Sequence, residues 1–426
     1  MFVGSAQDGV SVYVYPTDRF KTISLYACWV GELDAASASL TALVAYCLRR
    51  GTRQWPTFTT MQAHLEELYG ASFRADVGKL GEHQLLSFRL EIPDGRYLPG
   101  HPDTLGAGLD FLQAVMQEPN LTAAGHFPDD VIAQEKDILR RQIEGLINDK
   151  AQYAMLRCIE AMADGARFGV PRYGRVEDLT AIDEQAVVAR WSEGRKRWPL
   201  LLFGVGAIDA AGFEAAVRER FQGPQSAAPL RPPTLFAATH DGRLVVDEED
   251  VRQGKLHLGL ATGVRLQDAD YSALMMYTGV LGGFPHSKLF VNVREKASLA
   301  YYAYARVDAA LGLMMIGAGI EFSDFRPALD IIRRQLDDMR EGRISEEEMA
   351  FTLESFTNEL KAEDDSPSAL IGRELERRLL GGGPTSDELE ASLARVTRDD
   401  VVRVAGHVNV DLIYFLTAHG EVPAGA

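Results

Sequence analysis

The order of predicted strands and helices in this chain occurs twice along the sequence. A segment of alternating residues at 68–76, LYGASFRAD, is followed by a second alternating segment, and the same arrangement returns from 299–306, LAYYAYAR. A helical pattern that opens with acidic residues spans 127–150 and is matched at 344–366. The period of roughly 215–230 residues is far longer than that of a solenoid repeat, so it indicates duplication of a whole domain.

A stretch rich in proline, glycine and serine separates the two copies. Its sequence, QGPQSAAPLRPP at 222–233, disfavours both helix and sheet and is typical of a linker. We therefore place an N-terminal domain at 1–221, a linker at 222–236 and a C-terminal domain at 237–426. Each copy begins with strands and then alternates helices with further strands. This order predicts an α+β fold of two homologous domains, each a mainly antiparallel sheet with helices packed on one face.

Composition and charge exclude several classes of partner. The chain carries a formal net charge of −17, and it shows no convincing basic patch of the kind that binds nucleic acid. No apolar run is long enough to span a membrane, and the N-terminus lacks the basic and apolar regions of a secretory signal. The isolated cysteines Cys28, Cys47 and Cys158 have apolar neighbours and are expected to be buried and reduced. We expect a cytoplasmic protein.

Three blocks of the sequence resemble the insulinase/pitrilysin zinc peptidases, also called inverzincins, and they extend the likeness over nearly the whole chain. They are ASLTALVAYCLRRGTRQWPT at 38–57, EKDILRRQI at 135–143 and LGGFPHSKLFVNVREKASLAYYAYA at 281–305. Active members of that family carry H-x-x-E-H on a helix in the first block. The two histidines hold zinc, and the glutamate between them activates a water molecule.

The resemblance implies that the zinc-binding residues are replaced in this chain. Alignment on the Gly-Thr pair after the helix puts the first histidine at Ala42, the glutamate at Ala45 and the second histidine at Tyr46. The third ligand, a glutamate in the second block, falls on Gln142, whereas a supporting glutamate two turns earlier is kept as Glu135. We therefore expect a chain that binds no metal and has no general base at these positions.

A different part of the family's site is kept. In the third block an arginine and a tyrosine seven positions apart, which in the family bind the substrate backbone at the catalytic zinc, fall on Arg294 and Tyr301. The apolar spacing predicts that a helix ends near Lys296 and that Tyr301 begins a strand, so the two side chains can converge. Residue chemistry alone also allows a surface arginine paired with Glu295 and a tyrosine in the core.

The resemblance implies a non-catalytic, substrate-binding subunit of a zinc-dependent peptidase heterodimer. Such a chain has no cofactor and no peptidase activity of its own, because a paralogous partner with an intact H-x-x-E-H supplies the zinc. Its substrates are peptides or unfolded segments, and alone it can form a homodimer. The alternative is a structural, assembly or peptide-binding protein on the same fold. No G-x-G-x-x-G after a strand, P-loop or G-x-S-x-G favours an independent enzyme of another class.

Overall fold

The computed structural model describes residues 1–224 and 231–421. The strands are β1 Val3–Gln7, β2 Val10–Pro16, β3 Thr22–Glu32, β4 Ser72–Leu80, β5 His83–Pro93, β6 Leu200–Gly206, β7 Arg243–Glu248, β8 Gly254–Ala261, β9 Ala300–Asp308, β10 Leu313–Ile320 and β11 Asn409–Thr417. The α-helices are α1 Ala38–Leu48, α2 Phe58–Glu67, α3 Thr104–Gln117, α4 Asp129–Gly145, α5 Lys150–Ala163, α6 Glu184–Arg197, α7 Ala210–Arg220, α8 Tyr271–Thr278, α9 Phe325–Arg340, α10 Glu346–Glu363, α11 Pro367–Leu379, α12 Ser386–Leu393 and α13 Arg398–Ala405. None of the helices within these ranges is long and apolar enough to cross a membrane. Residues 225–230 of the predicted linker lie outside the described part of the chain.

The strands form two sheets with the same internal order. The first sheet has the order β1-β2-β6-β3-β5-β4, and the second has the order β7-β11-β8-β10-β9. Strand β2 runs parallel to β6, as β7 does to β11, and the other neighbouring strands are antiparallel. Every strand of the second sheet therefore has a counterpart in the first, and β1 is the unmatched strand. The predicted α+β class with mainly antiparallel sheets is confirmed, and the shared order accounts for the repeat in the sequence.

The core of the first sheet lies between its apolar face and the helices that follow its strands. Strand β3 contributes Leu25 and Trp29, and β5 contributes Phe88 to the same cluster as the residues of α1. Ten of the eleven residues of α1 are buried, which fits its almost wholly apolar sequence. Helix α2 begins at a capping box in which Thr57 and Thr60 bond each other's backbone N–H, so two otherwise unpaired donors are satisfied.

Helix α5 packs on the second sheet, on the face opposite to that covered by the other helices of that sheet. Its Ala154, Cys158 and Met162 join a cluster that includes Leu412 of β11. A Cβ added at Gly259 of β8 would collide with the Met162 sulfur, so the missing side chain lets the helix approach the strand. The predicted burial of the three cysteines agrees with the structure, in which each is free and buried.

Contacts group the chain into two compact units that do not follow the sequential halves. The first comprises Met1–Gly145, Val170–Arg231 and Asp365–Leu375, and the second comprises Leu146–Gly169, Pro232–Asp364 and Glu376–Ala426. This grouping departs from the sequence-based boundaries of 1–221 and 237–426 at two places. Helix α5 belongs to the second unit because it covers that unit's sheet. The first part of α11 belongs to the first unit, where Arg89 donates a hydrogen bond of 2.8 Å to the Ser368 hydroxyl.

Candidate functional site

Helix α1 holds the three positions that the sequence predicts to correspond to the family's zinc helix, and they lie in the interior of the first unit. Ala42 and Ala45 have no exposed surface, and Tyr46 retains only 4% of its own. The Tyr46 ring packs edge-on against Tyr173, with 6.5 Å between centroids, and the Arg49 guanidinium lies 3.9 Å above it. Burial raises the pKa of Tyr46, so its phenol stays protonated and offers neither a metal ligand nor a base at neutral pH.

Gln142, the predicted third ligand position, is equally unsuited to zinc. Gln142 is exposed on the last turns of α4, and its amide oxygen is neutral. Glu135, two turns earlier, is fully buried, and its carboxylate accepts a hydrogen bond of 3.0 Å from Arg49 Nη2. Its other oxygen lies 3.3 Å from Arg50 Nε. Among the described residues, no group of three or more His, Cys, Asp or Glu side chains could hold a metal ion.

Restoring the family's residues should not produce a zinc peptidase. The combined variant is Ala42→His, Ala45→Glu, Tyr46→His and Gln142→Glu. It inserts large polar groups where two methyl side chains are fully buried, and overpacking a core typically costs about 1–3 kcal/mol. New ligands also need hydrogen bonds that orient them. We expect a lower urea midpoint and no stoichiometric zinc by elemental analysis. A stable variant that binds one zinc and cleaves peptides would contradict this expectation.

Two π-helical segments lie in or beside the third sequence block. They span Gly279–Gly283 and Phe290–Lys296, so the predicted helix end near Lys296 agrees with the structure, whereas the π form was not anticipated. Such segments are rare and occur frequently at functional sites. Arg294 is exposed in the second segment, with its guanidinium 4.5 Å from the centre of the Phe290 ring. In the described structure no ion pair joins Arg294 to Glu295.

Tyr301 is the extra residue of a β-bulge near the start of β9. Tyr302 pairs with Gly319 of β10. The next pair joins Ala300 to Ile320, so Tyr301 has no partner across the ladder. Bulges re-aim a side chain and are frequent beside active sites. Tyr301 is 64% exposed, which excludes the alternative of a tyrosine in the core.

The Tyr301 hydroxyl donates a hydrogen bond of 3.0 Å to Glu321 Oε1. This bond and the charge of the carboxylate raise the pKa of Tyr301, so the phenol remains a hydrogen-bond donor at neutral pH. Glu321 follows β10 directly, and it is a candidate site residue that the sequence did not indicate. No pattern pointed to it, because its contact with Tyr301 depends on the bulge.

The backbone joins the segments that carry Arg294 and Tyr301. The Leu299 N–H donates a hydrogen bond of 3.0 Å to the Val293 carbonyl, which ties the π segment to the start of β9. Gly282, in the first π-helical segment, lets that segment approach β9 closely, because a Cβ at this position would lie 2.5 Å from the amide nitrogen of a β9 residue. Within the described chain no hydrogen bond or cation–π contact joins the two side chains themselves. Both are exposed, so each is accessible to a ligand.

Comparison with known proteins assigns this scaffold to a family. A family model described as the Peptidase M16 inactive domain matches residues 200–355. The chain is 32% identical over 412 residues to a Bacillus subtilis protein described as probable inactive metalloprotease YmfF, and the match covers 97% of this chain and 96% of that protein.

Solved structures share the whole fold. A conserved protein from Enterococcus faecalis V583 is 26% identical with a TM-score of 0.91, covering 99% of this chain and 100% of that one. A peptidase M16 inactive domain from Pseudomonas fluorescens has the same fold at 17% identity and a TM-score of 0.78, covering 98% of each chain. The resemblance to the insulinase/pitrilysin peptidases is confirmed, and the chain belongs to the M16 peptidase family as a member of its inactive type.

Proposed function

We propose that this chain is the non-catalytic, substrate-binding subunit of a zinc-dependent peptidase heterodimer that acts on peptides or unfolded protein segments. The observation that carries the proposal is the exposed pair Arg294 and Tyr301, held on a π-helical segment and a β-bulge. The partner would be a paralogous M16 subunit with an intact H-x-x-E-H, and the zinc would belong to that subunit.

Arg294 and Tyr301 would bind the peptide beside the partner's zinc. The guanidinium of Arg294 is a rigid fork of N–H donors that suits a peptide carbonyl. The Tyr301 phenol would donate a hydrogen bond to the oxyanion that develops on the scissile carbonyl. The Tyr301 hydroxyl would then donate its hydrogen bond to the substrate instead of to the Glu321 carboxylate. The exposed position of Tyr301 permits this change of acceptor.

We also propose a cytoplasmic location. Cys28, Cys47 and Cys158 are free and buried, and burial raises the pKa of the Cys28 thiol to about 12. Buried thiols of this kind are unreactive, and unbridged cysteines suit a reducing compartment.

The purified chain alone should contain no stoichiometric zinc and should cleave no peptide. The reason is that Ala42, Ala45, Tyr46 and Gln142 stand at the ligand and general-base positions, three of them buried. Elemental analysis and a fluorogenic peptide assay, each with and without a chelator, measure this. One zinc per chain together with chelator-sensitive cleavage would show that a different site had been overlooked.

Copurification from the native host, followed by a peptidase assay with and without the partner, tests the heterodimer itself. The proposal expects a paralogue with H-x-x-E-H to copurify and cleavage to require both chains. If the paralogue is fully active alone, or if only non-peptidase proteins copurify, the structural, assembly or peptide-binding alternative is favoured.

A further inference from the structure

Two arginines lie side by side near the edge of the first sheet. Arg74 of β4 and Arg89 of β5 are directly opposite each other in the antiparallel ladder, on the face that alternates with the buried pair Ala75 and Phe88. At such positions the Cβ atoms are about 4.5–5.5 Å apart, and like charges directly opposite are destabilising. Both side chains are exposed. An arrangement that is unfavourable in the free protein becomes favourable when an anion lies between the two guanidinium groups.

The hydrogen-bond donors of this pair are largely unused. Among the described residues Arg74 has no hydrogen bond or ion pair, and the hydrogen bond of Arg89 goes to the neutral hydroxyl of Ser368 at 2.8 Å. The carboxylates of Asp76 and Glu91 also line this surface, but in the described structure their hydrogen-bond partners are other groups than the two arginines. Asp76 accepts a hydrogen bond from a tyrosine hydroxyl at 3.2 Å, and Glu91 accepts one from a threonine hydroxyl at 3.0 Å. Because these negative charges remain nearby, recognition here depends on short-range hydrogen bonds more than on a long-range field.

The two arginines line a cavity of about 540 Å³. Polar and apolar side chains share its wall with them, among them Tyr26, Ser72, Phe73, Ser87 and Ser368. This volume lies within the range of about 300–1,000 Å³ that is usual for ligand pockets, so it holds more than a single inorganic ion. Ser368 is the second residue of the 13-residue helix α11, so the positive end of a helix dipole lies at the wall.

We propose that this cavity binds a peptide carboxylate through Arg74 and Arg89. A guanidinium fork matches a carboxylate bidentately, which a neutral amide cannot reproduce. Phe73, which is only partly buried, offers apolar surface to the residue that carries the carboxylate. The inference rests on the proposed function for the choice of a peptide as ligand, and it deepens that function by naming carboxylate-bearing peptides as the substrate class.

Direct binding to the full chain without any partner tests the proposal. The probes are three rhodamine-labelled hexapeptides followed by fluorescence anisotropy: AAEEAA with an amidated C-terminus, AAQQAA amidated, and AAQQAA with a free C-terminal carboxylate. We expect at least one carboxylate peptide to bind about tenfold or more tightly than amidated AAQQAA. The comparison between the first and third probes distinguishes a side-chain carboxylate from a C-terminal one.

Matched variants locate the binding. Arg74→Gln and Arg89→Gln should each weaken binding of the carboxylate peptide by about tenfold, the usual effect of losing a charge-assisted hydrogen bond. Arg53→Gln removes the same charge from an exposed arginine that pairs with Glu118 outside the cavity, and it should leave binding unchanged. Circular dichroism spectra that match the parent chain confirm that each variant is folded.

The proposal is overturned if no probe binds, if the three probes bind alike, or if binding is unchanged in both cavity variants. It is also overturned if inorganic phosphate displaces the peptide as effectively as unlabelled peptide does, because the cavity would then be a site for small anions. Since no partner is present, these results are independent of whether a heterodimer exists. If no heterodimer forms but the chain still binds the carboxylate peptide, the proposed heterodimer is wrong and the carboxylate site is supported.

Discussion

In the assembled peptidase we expect Tyr301→Phe to lower kcat about 100- to 1,000-fold, the usual effect of removing one hydrogen-bond donor to an oxyanion. The substitution keeps the ring and removes only the hydroxyl that now donates to Glu321. Because Tyr301 is an exposed residue of a bulge, the fold and the assembly should be preserved. Steady-state kinetics of the copurified heterodimer measure the effect, with size-exclusion chromatography as the test of assembly.

The neighbouring Tyr302 provides a matched control. Its hydroxyl is buried without a hydrogen-bond partner in the described structure, so Tyr302→Phe should leave both kcat and stability nearly unchanged. Arg294→Ala should instead raise KM more than it lowers kcat, since it contributes to binding of the peptide backbone. If the Tyr301 and Arg294 variants both keep full activity in an active heterodimer, the two residues have no role in the reaction.

Replacing Arg49 and Arg50 together by alanine should lower the free energy of unfolding of the first unit by about 3–5 kcal/mol. The Glu135 side chain has no exposed surface, and these two arginines are its ion-pair partners. Their removal leaves a buried charge unpaired, which accounts for the size of the effect. All four tryptophans of the chain lie in this unit, so their fluorescence during urea unfolding reports on it: Trp29, Trp55, Trp191 and Trp198.

A third substitution separates the buried charge from the loss of packing. Adding Glu135→Gln to the double variant removes the charge while keeping the shape of the side chain. It should therefore recover about 2 kcal/mol or more. If the triple variant is no more stable than the double variant, the loss came from packing, such as the contact of Arg49 with the Tyr46 ring.

Patterns that extend over whole elements made much of the fold predictable. Strands β4 and β9 correspond to each other in the repeat, as do helices α4 and α10, which both have acidic residues in the first turn. Each of these elements was therefore supported by the same pattern in the other half of the chain. The buried positions on α1 could also be expected, because all eleven residues of that helix are small or apolar apart from its hydroxyls. Periodicity identifies such elements because one face of each must be removed from water.

Features that depend on a shift of one residue or on tertiary packing were not predictable. The exposure of Tyr301 follows from a bulge against β10, and alternation alone does not register an extra residue. The π-helical segment that contains Arg294 has only seven residues. Over that length the spacing of apolar residues does not distinguish a π-helix from an α-helix. The meeting of Arg74 with Arg89 follows from the register of β4 against β5, and the alternation within each strand does not by itself say which residue lies opposite which. Strand β1 is mostly exposed and lacks the apolar alternation that would reveal it.

The two compact units are not completed in the order in which their segments are synthesised. The first unit includes Asp365–Leu375, so at about 5–20 residues per second it waits roughly 10–50 s after Gly145 for its last segment. Meanwhile α5 leaves the ribosome before any strand of the sheet on which its Cys158 and Met162 pack. The apolar face of α5 therefore stays uncovered on the nascent chain until the strands that it packs on are made, and β11 is the last of them.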